Sequence, residues 1–188
     1  MAAHTAQPGA SREPAGSDSA NPAKPDASAS PASPADLAQR YADDMYAADH
    51  ASQQLGISVE GVAPGQARAR MRVTPAMVNG HGTAHGGYVF LLADSAFAFA
   101  CNTYGPTTVA RSAEIVFVSP VREGDDLLAT AVERVTYGRS GVYDVTVRRI
   151  GTGDTGDTGD GEIVAEFRGQ SQQSQQSQQS RSRHAESR

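Results

Sequence analysis

Asn79-Gly80-His81-Gly82-Thr83-Ala84-His85-Gly86-Gly87-Tyr88-Val89-Phe90-Leu91-Leu92-Ala93-Asp94-Ser95-Ala96-Phe97-Ala98-Phe99-Ala100-Cys101-Asn102 is a polar, glycine-rich turn running into a long apolar segment. The apolar run is too long for an ordinary strand and reads as a buried helix. It is too short, and too interrupted by Asp94, to span a membrane. Gly86 and Gly87 stand at its start, where backbone N–H groups have no partner inside a helix. Such N–H groups can donate to an oxygen that carries negative charge. Gly86 is the candidate oxyanion donor and Gly87 a candidate substrate contact. An ionisable residue in so apolar a segment is costly unless it is paired or used. Asp94 is therefore a candidate general base or nucleophile. The competing readings are structural: Asp94 capping a neighbouring element, and Gly86 serving only a tight turn.

Working outward, composition divides the 188 residues into a domain and two flanks. Residues 1–34 are rich in Ala, Pro, Ser and Gly with scattered charges, and no apolar period survives there, so a disordered extension is expected. Residues 171–188 repeat Ser-Gln-Gln and read as a disordered low-complexity tail. Residues 35–170 form the expected domain, enough for one core. A formal charge of −5 argues against broad nucleic-acid binding, which needs a basic face. No apolar segment follows Met1, so no secretory signal is expected. The single cysteine, Cys101, fits a reducing compartment and reads as a packed core residue. A cytoplasmic protein off the membrane is the expectation.

In chain order, Leu37, Tyr41, Met45 and Tyr46 recur at helical spacing, with Asp36 as the expected N-cap. Gly56 ends that pattern. Residues 57–60 suit a strand, and Pro64-Gly65 a turn. Ala67, Ala69, Met71 and Val73 alternate with Arg68, Arg70 and Arg72, a half-buried strand whose basic face is either solvated or a phosphate contact. After the long helix, stopped by Gly105-Pro106, come β-branched or alternating runs at 107–118, 127–137, 142–150 and 162–169. Gly138 and Ser140-Gly141 mark a hairpin. The Gly/Asp repeat at 151–160 reads as a loop, since calcium-binding β-rolls carry a longer period with apolar positions. A sheet wrapped around one central helix makes an α+β domain.

Asn79-Gly80-His81 through His85-Gly86-Gly87, then Leu92-Ala93-Asp94-Ser95-Ala96-Phe97-Ala98 and Ala100-Cys101-Asn102, resemble the hotdog-fold thioesterases of the phenylacetic acid degradation (PaaI) type. Gly141-Val142-Tyr143-Asp144-Val145 and Phe167-Arg168-Gly169 resemble that family's later strands. The resemblance implies a central helix wrapped by an antiparallel sheet, assembling as a homodimer or homotetramer. It implies hydrolysis of acyl-coenzyme A thioesters, commonly aromatic ones, without a cofactor. By position it makes Asp94 the catalytic carboxylate and Gly86 the donor that polarises the thioester carbonyl. It makes Asn79 the residue that orients water or the acyl group, and His85 the histidine beside the oxyanion site. Some relatives place a hydroxyl on the strand after the helix, where Ala110 stands here, so Ser112 is a substrate-binding candidate.

His81 and His85 have the spacing of two helical metal ligands, but they lie in a glycine-containing turn with no adjacent Glu, and no metal is expected. Tyr88, Phe90, Phe97 and Phe99 are expected to build the core, with one or two lining an acyl slot. On one helix, the eight residues from Gly86 to Asp94 span about 12 Å and turn the two about 80° apart. They do not face one thioester carbon within a chain. A two-fold dimer with antiparallel central helices would bring Asp94 of one chain to Gly86 of the other, giving shared active sites. Two rivals stand beside thioester hydrolysis: a hotdog-fold hydratase or dehydratase, and a non-catalytic acyl-CoA binding module.

Overall fold

The computed structural model describes residues 32–151 and 161–174. The disorder expected in the N-terminal extension and the tail, and the expected Gly/Asp loop, concern segments that lie almost entirely outside the described residues.

The first helix, α1 (Pro34–Ala48), starts on a capping box. The Asp36 N–H donates to Ser33 Oγ at 3.1 Å, and the Ser33 N–H donates to an Asp36 carboxylate oxygen at 3.0 Å. Ser33 is thus the N-cap and Asp36 the third helical residue, which corrects the expectation that Asp36 caps. Pro34 explains the shift, because its fixed φ suits the first helical position and its missing N–H costs nothing there. The short α2 (His50–Gln54) follows, capped by Asp49, and Gly56 leaves it at φ +68°. α1 buries Ala38 and Ala42 and packs over β1 (Ser58–Ala63).

β2 (Gln66–Arg72) buries Ala67, Ala69 and Met71, as its alternation predicts. On its other face, Arg70 and Arg72 approach Asp126 at 3.6 and 2.9 Å. These two arginines are thus engaged within the sheet. A one-turn 3₁₀ segment, Pro75–Met77, leads to the glycine-rich turn and α3 (Gly86–Cys101). Then come β3 (Thr108–Phe117), β4 (Asp126–Tyr137), β5 (Ser140–Ile150) and β6 (Glu162–Gln173).

The six strands form one antiparallel sheet in the order β1-β2-β4-β5-β6-β3. α3 touches all six. Strands spaced about 4.8 Å apart would spread a flat six-stranded sheet over about 24 Å, twice the width of a helix. The sheet therefore curls around α3, the hotdog arrangement expected above. This also explains why α3 lacks a polar face: Leu92, Ala93, Ala96, Phe97 and Ala100 are fully buried. Phe97 packs on Tyr143 and Phe167, with ring centroids 5.5 and 5.8 Å away. Gly169 permits this approach, since a Cβ there would lie 2.9 Å from the Phe97 ring. Each such buried aromatic contributes about 2–3 kcal/mol. No helix among the described residues is long and apolar enough to cross a membrane.

β6 runs three residues past Gln170, into the expected tail. Ser171 is only 2% exposed, Gln172 pairs with both β3 and β5, and Gln173 pairs with β3. Main-chain hydrogen bonding extends the strand where no apolar side chain announces it. β3 closes the sheet at the opposite edge from β1. It pairs with β6 on one side and with no strand on the other among the described residues. Val109, Val116 and Phe117 along it are each more than half exposed.

Candidate active site

The glycine-rich turn is built around one side chain. Asn79 Oδ1 accepts from the His81 N–H at 2.8 Å and the Thr83 N–H at 3.4 Å, and Asn79 Nδ2 donates to Thr83 Oγ1 at 3.2 Å. The Asn79 amide therefore shapes the turn, an Asx arrangement that few other residues could supply. The end of the turn is pinned by the His85 N–H, which donates to the Met77 carbonyl at 2.8 Å, and by the Ala84 N–H, which donates to the Val121 carbonyl at 2.8 Å.

His85 is the N-cap of α3, and its Nδ1 accepts from the Gly87 N–H at 3.0 Å. An imidazole that accepts at Nδ1 carries its proton on Nε2, so the ring presents an N–H donor outward. Because His85 occupies the Gly87 N–H, the orphan donor at the helix start is Gly86. Its N–H meets no acceptor among the described residues. The Phe117 ring covers this position: a Cβ on Gly86 would lie 2.9 Å from it. Gly86 lines a groove of about 450 Å³ with Val89, Phe117 and Ser119. Asn79, His85, Gly87 and Tyr88 line a neighbouring groove of about 420 Å³. Tyr88 stands edge-on to the His85 ring, with centroids 6.4 Å apart, while Phe97 and Phe99 are sealed in the core.

Asp94 lies elsewhere. It lines a third groove, of about 450 Å³, with Tyr41 and Met45 of α1, Ala98 and Asn102, and Thr108 to Ala110 of β3. Its carboxylate has no hydrogen-bond or ion-pair partner among the described residues. Burial without a partner holds its pKa above the ordinary aspartate value of 3.8. Cys101, in the same groove, is buried, which pushes its thiol up to about 12 and removes it as a nucleophile near neutral pH.

The structure thus gathers Asn79, His85 and Gly87 at the start of α3, sets Gly86 on the adjoining face, and leaves Asp94 about 12 Å further along the same helix. Ser112 joins none of these grooves. Ala110 pairs with Ser171 and Ser112 with Gln170, so Arg111 is the extra residue of a β-bulge. The bulge sets Ala110 and Ser112 on alternate faces, and only Ala110 reaches the groove of Asp94. His81 is held in the turn, away from the role of His85, and no group of three or more His, Cys, Asp or Glu side chains among the described residues could hold a metal ion. Tyr41, Met45 and Phe117 are site residues that the sequence shows only as apolar positions. The spacing of Tyr41 and Met45 puts them on one helical face, but that face has no known neighbour until the chain folds.

A half-buried carboxylate without a partner, an orphan helix N–H and a donor imidazole are the groups that hydrolysis of an activated carbonyl needs. The family model of the Thioesterase superfamily matches residues 81–155. Over 103 residues the chain is 44% identical to acyl-coenzyme A thioesterase PaaI of Escherichia coli, covering 55% of this chain and 74% of that protein. The solved structure of the E. coli PaaI protein from the phenylacetic acid degradation operon superposes with a TM-score of 0.69 at 38% identity, covering 76% of this chain and 96% of the other. A mutant form of the phenylacetic acid degradation protein PaaI from Thermus thermophilus superposes with a TM-score of 0.60 at 36% identity, covering 67% of this chain and all of the other.

Proposed function

Because the chain belongs to the thioesterase superfamily, as a thioester hydrolase of the PaaI type, we propose that its substrates are acyl-coenzyme A thioesters with an aromatic, phenylacetyl-type acyl group. Asp94 is the catalytic carboxylate. As general base it takes a proton from water, and the resulting hydroxide adds to the thioester carbon. As nucleophile its own oxygen adds, giving an anhydride that water then opens. In both routes the carbonyl oxygen becomes an oxyanion, the C–S bond breaks and the thiolate leaves, to be protonated as free coenzyme A. The Gly86 N–H, at the positive end of α3, donates to the oxyanion. The Nε2–H of His85 stands beside it, and Asn79 holds the turn that carries both. Burial makes Asp94 a stronger base than an exposed aspartate.

The single observation that carries this reading is the separation of the two half-sites along α3. Asp94 and the Gly86 N–H serve one carbonyl only if they come from two chains, in a dimer whose two-fold axis sets the central helices antiparallel. The exposed edge of β3, with Val109, Val116 and Phe117 uncovered, supports pairing there. Partners are thus the acyl-CoA substrate and a second copy of the chain, as a dimer or as a tetramer of two such dimers, with shared sites. The mostly apolar walls of the Asp94 groove support a hydrophobic acyl group, and the phenylacetic acid degradation named for both relatives supports an aromatic one. The buried, unpaired cysteine suits the cytoplasm.

Thiol release from a panel of acyl-CoAs tests this. Phenylacetyl-CoA should show the highest kcat/KM, with one free thiol formed per acid released. Absence of thiol release from every member, or hydration of an enoyl-CoA with the thioester intact, would overturn the reading.

A further inference from the structure

The groove that holds Asp94 has an end wall. Asp94, Ala98 and Asn102 follow one another at i, i+4 and i+8, so the groove runs down one face of α3 for about 12 Å. Ala98, small between Phe97 and Phe99, leaves the channel open beside the carboxylate. β3 supplies one side through Thr108, Val109 and Ala110. α1 supplies the other through Tyr41 and Met45, which are four residues apart and share a helical face. At the far end the chain turns at Gly105, with φ +93°, and a Cβ there would lie 2.7 Å from the Tyr41 hydroxyl. The Tyr41 ring is thus seated on the turn that closes α3.

α1 is held firmly enough to act as a wall. Ala38 and Ala42 are buried, and the Tyr46 hydroxyl donates to the Ile57 carbonyl at 2.7 Å. Tyr41 itself is 38% exposed, so its ring borders the groove without belonging to the core. Beyond it, Leu37 continues the same apolar stripe and is 37% exposed.

We propose that Tyr41, backed by Met45 and seated on Gly105, closes the acyl slot and restricts the enzyme to compact acyl groups, and that removing its ring opens the slot along α1 to long-chain acyl groups. This rests on the assignment of Asp94 as the catalytic carboxylate of an acyl-CoA thioesterase. A thioester carbon placed at Asp94 sends its acyl group down the groove toward Tyr41. An aryl group ends at the phenol ring, whereas a dodecanoyl chain meets it and must bend back. Tyr41 is here a specificity-determining residue.

The test compares kcat/KM for phenylacetyl-CoA and dodecanoyl-CoA in wild type, Tyr41→Ala, Tyr41→Phe and Ala98→Leu, with melting temperatures measured alongside. Tyr41→Ala should raise the dodecanoyl-to-phenylacetyl ratio by about tenfold or more, the scale of a few methylenes gained in an apolar pocket. Tyr41→Phe, which keeps the ring, should keep the wild-type ranking. Ala98→Leu narrows the channel and, with acetyl-CoA assayed alongside the other two substrates, should move preference toward acetyl-CoA. A smaller change of ratio in folded Tyr41→Ala, while hydrolysis still depends on Asp94, overturns the end-wall assignment alone. Hydrolysis that survives Asp94→Asn overturns the site reading itself, and the slot with it.

Discussion

Asp94→Asn is expected to lower kcat by about 10²–10⁴-fold, the scale for losing a general base or its equivalent nucleophile. The amide keeps the size of the side chain and removes the negative charge. The fold should not suffer. In the folded chain burial raises the Asp94 pKa above its unfolded value. Ionising it as pH rises through that window therefore destabilises the fold, and below the ordinary carboxylate range both states are protonated and the effect vanishes. Asparagine removes this destabilisation, so the melting temperature at pH 7 should equal or exceed that of wild type. The same shift fixes the acid limb of activity: kcat/KM should fall with decreasing pH at a value above 3.8, because the protonated carboxyl neither accepts a proton nor attacks. Unchanged kcat in a folded Asp94→Asn protein would remove Asp94 from the chemistry.

Gly86→Pro should lower kcat by about 10²–10³-fold, the loss for one oxyanion donor. Proline removes the N–H and suits the backbone. Gly86 is the first residue of α3, where proline is favoured. His85 before it sits at φ −63°, ψ 128°, a conformation that a following proline tolerates. The added carbons press on the tip of the Phe117 ring, a contact that Gly86→Ala makes as well. Gly86→Ala adds the same Cβ and keeps the N–H, so it isolates the donor: alanine should retain most of the turnover that proline loses. Equal loss in both variants would assign the effect to Phe117 rather than to the oxyanion.

Much of this site is written in local sequence. A glycine pair, an apolar run and one carboxylate specify a buried helix start and a charged group within it, and α3 carries both. β4 and β5 are as legible, because alternation and a Gly-containing hairpin act over neighbouring residues. What stays hidden depends on contacts between distant segments. Ser171 reads as tail, yet pairing with β3 on one side and β5 on the other buries it in the sheet. The bulge at Arg111, which separates Ser112 from the Asp94 groove, leaves no mark in composition. Ser33 and Asp36 are both good caps, and the choice falls to Ser33 through its neighbour Pro34. Gly87, expected as a substrate contact, meets a competing acceptor: the His85 ring takes its N–H and leaves Gly86 as the orphan donor. The resemblance has Asn79 only orient water or the acyl group; its turn-building hydrogen bonds, and its position beside His85, appear only when the turn closes on Met77.

The central claim is that each site takes Asp94 from one chain and Gly86, His85 and Asn79 from its partner. Its most direct test pairs two crippled chains. Asp94→Asn and Gly86→Pro chains, carrying different affinity tags, are co-expressed, and the mixed dimer is purified through both tags. In that dimer one site collects both lesions and the other collects neither. Thiol release should therefore return to about half the wild-type rate per dimer, far above either parent, as two-fold symmetry requires. A mixed dimer no more active than its parents would place both groups in a single chain's site and contradict the shared-site account.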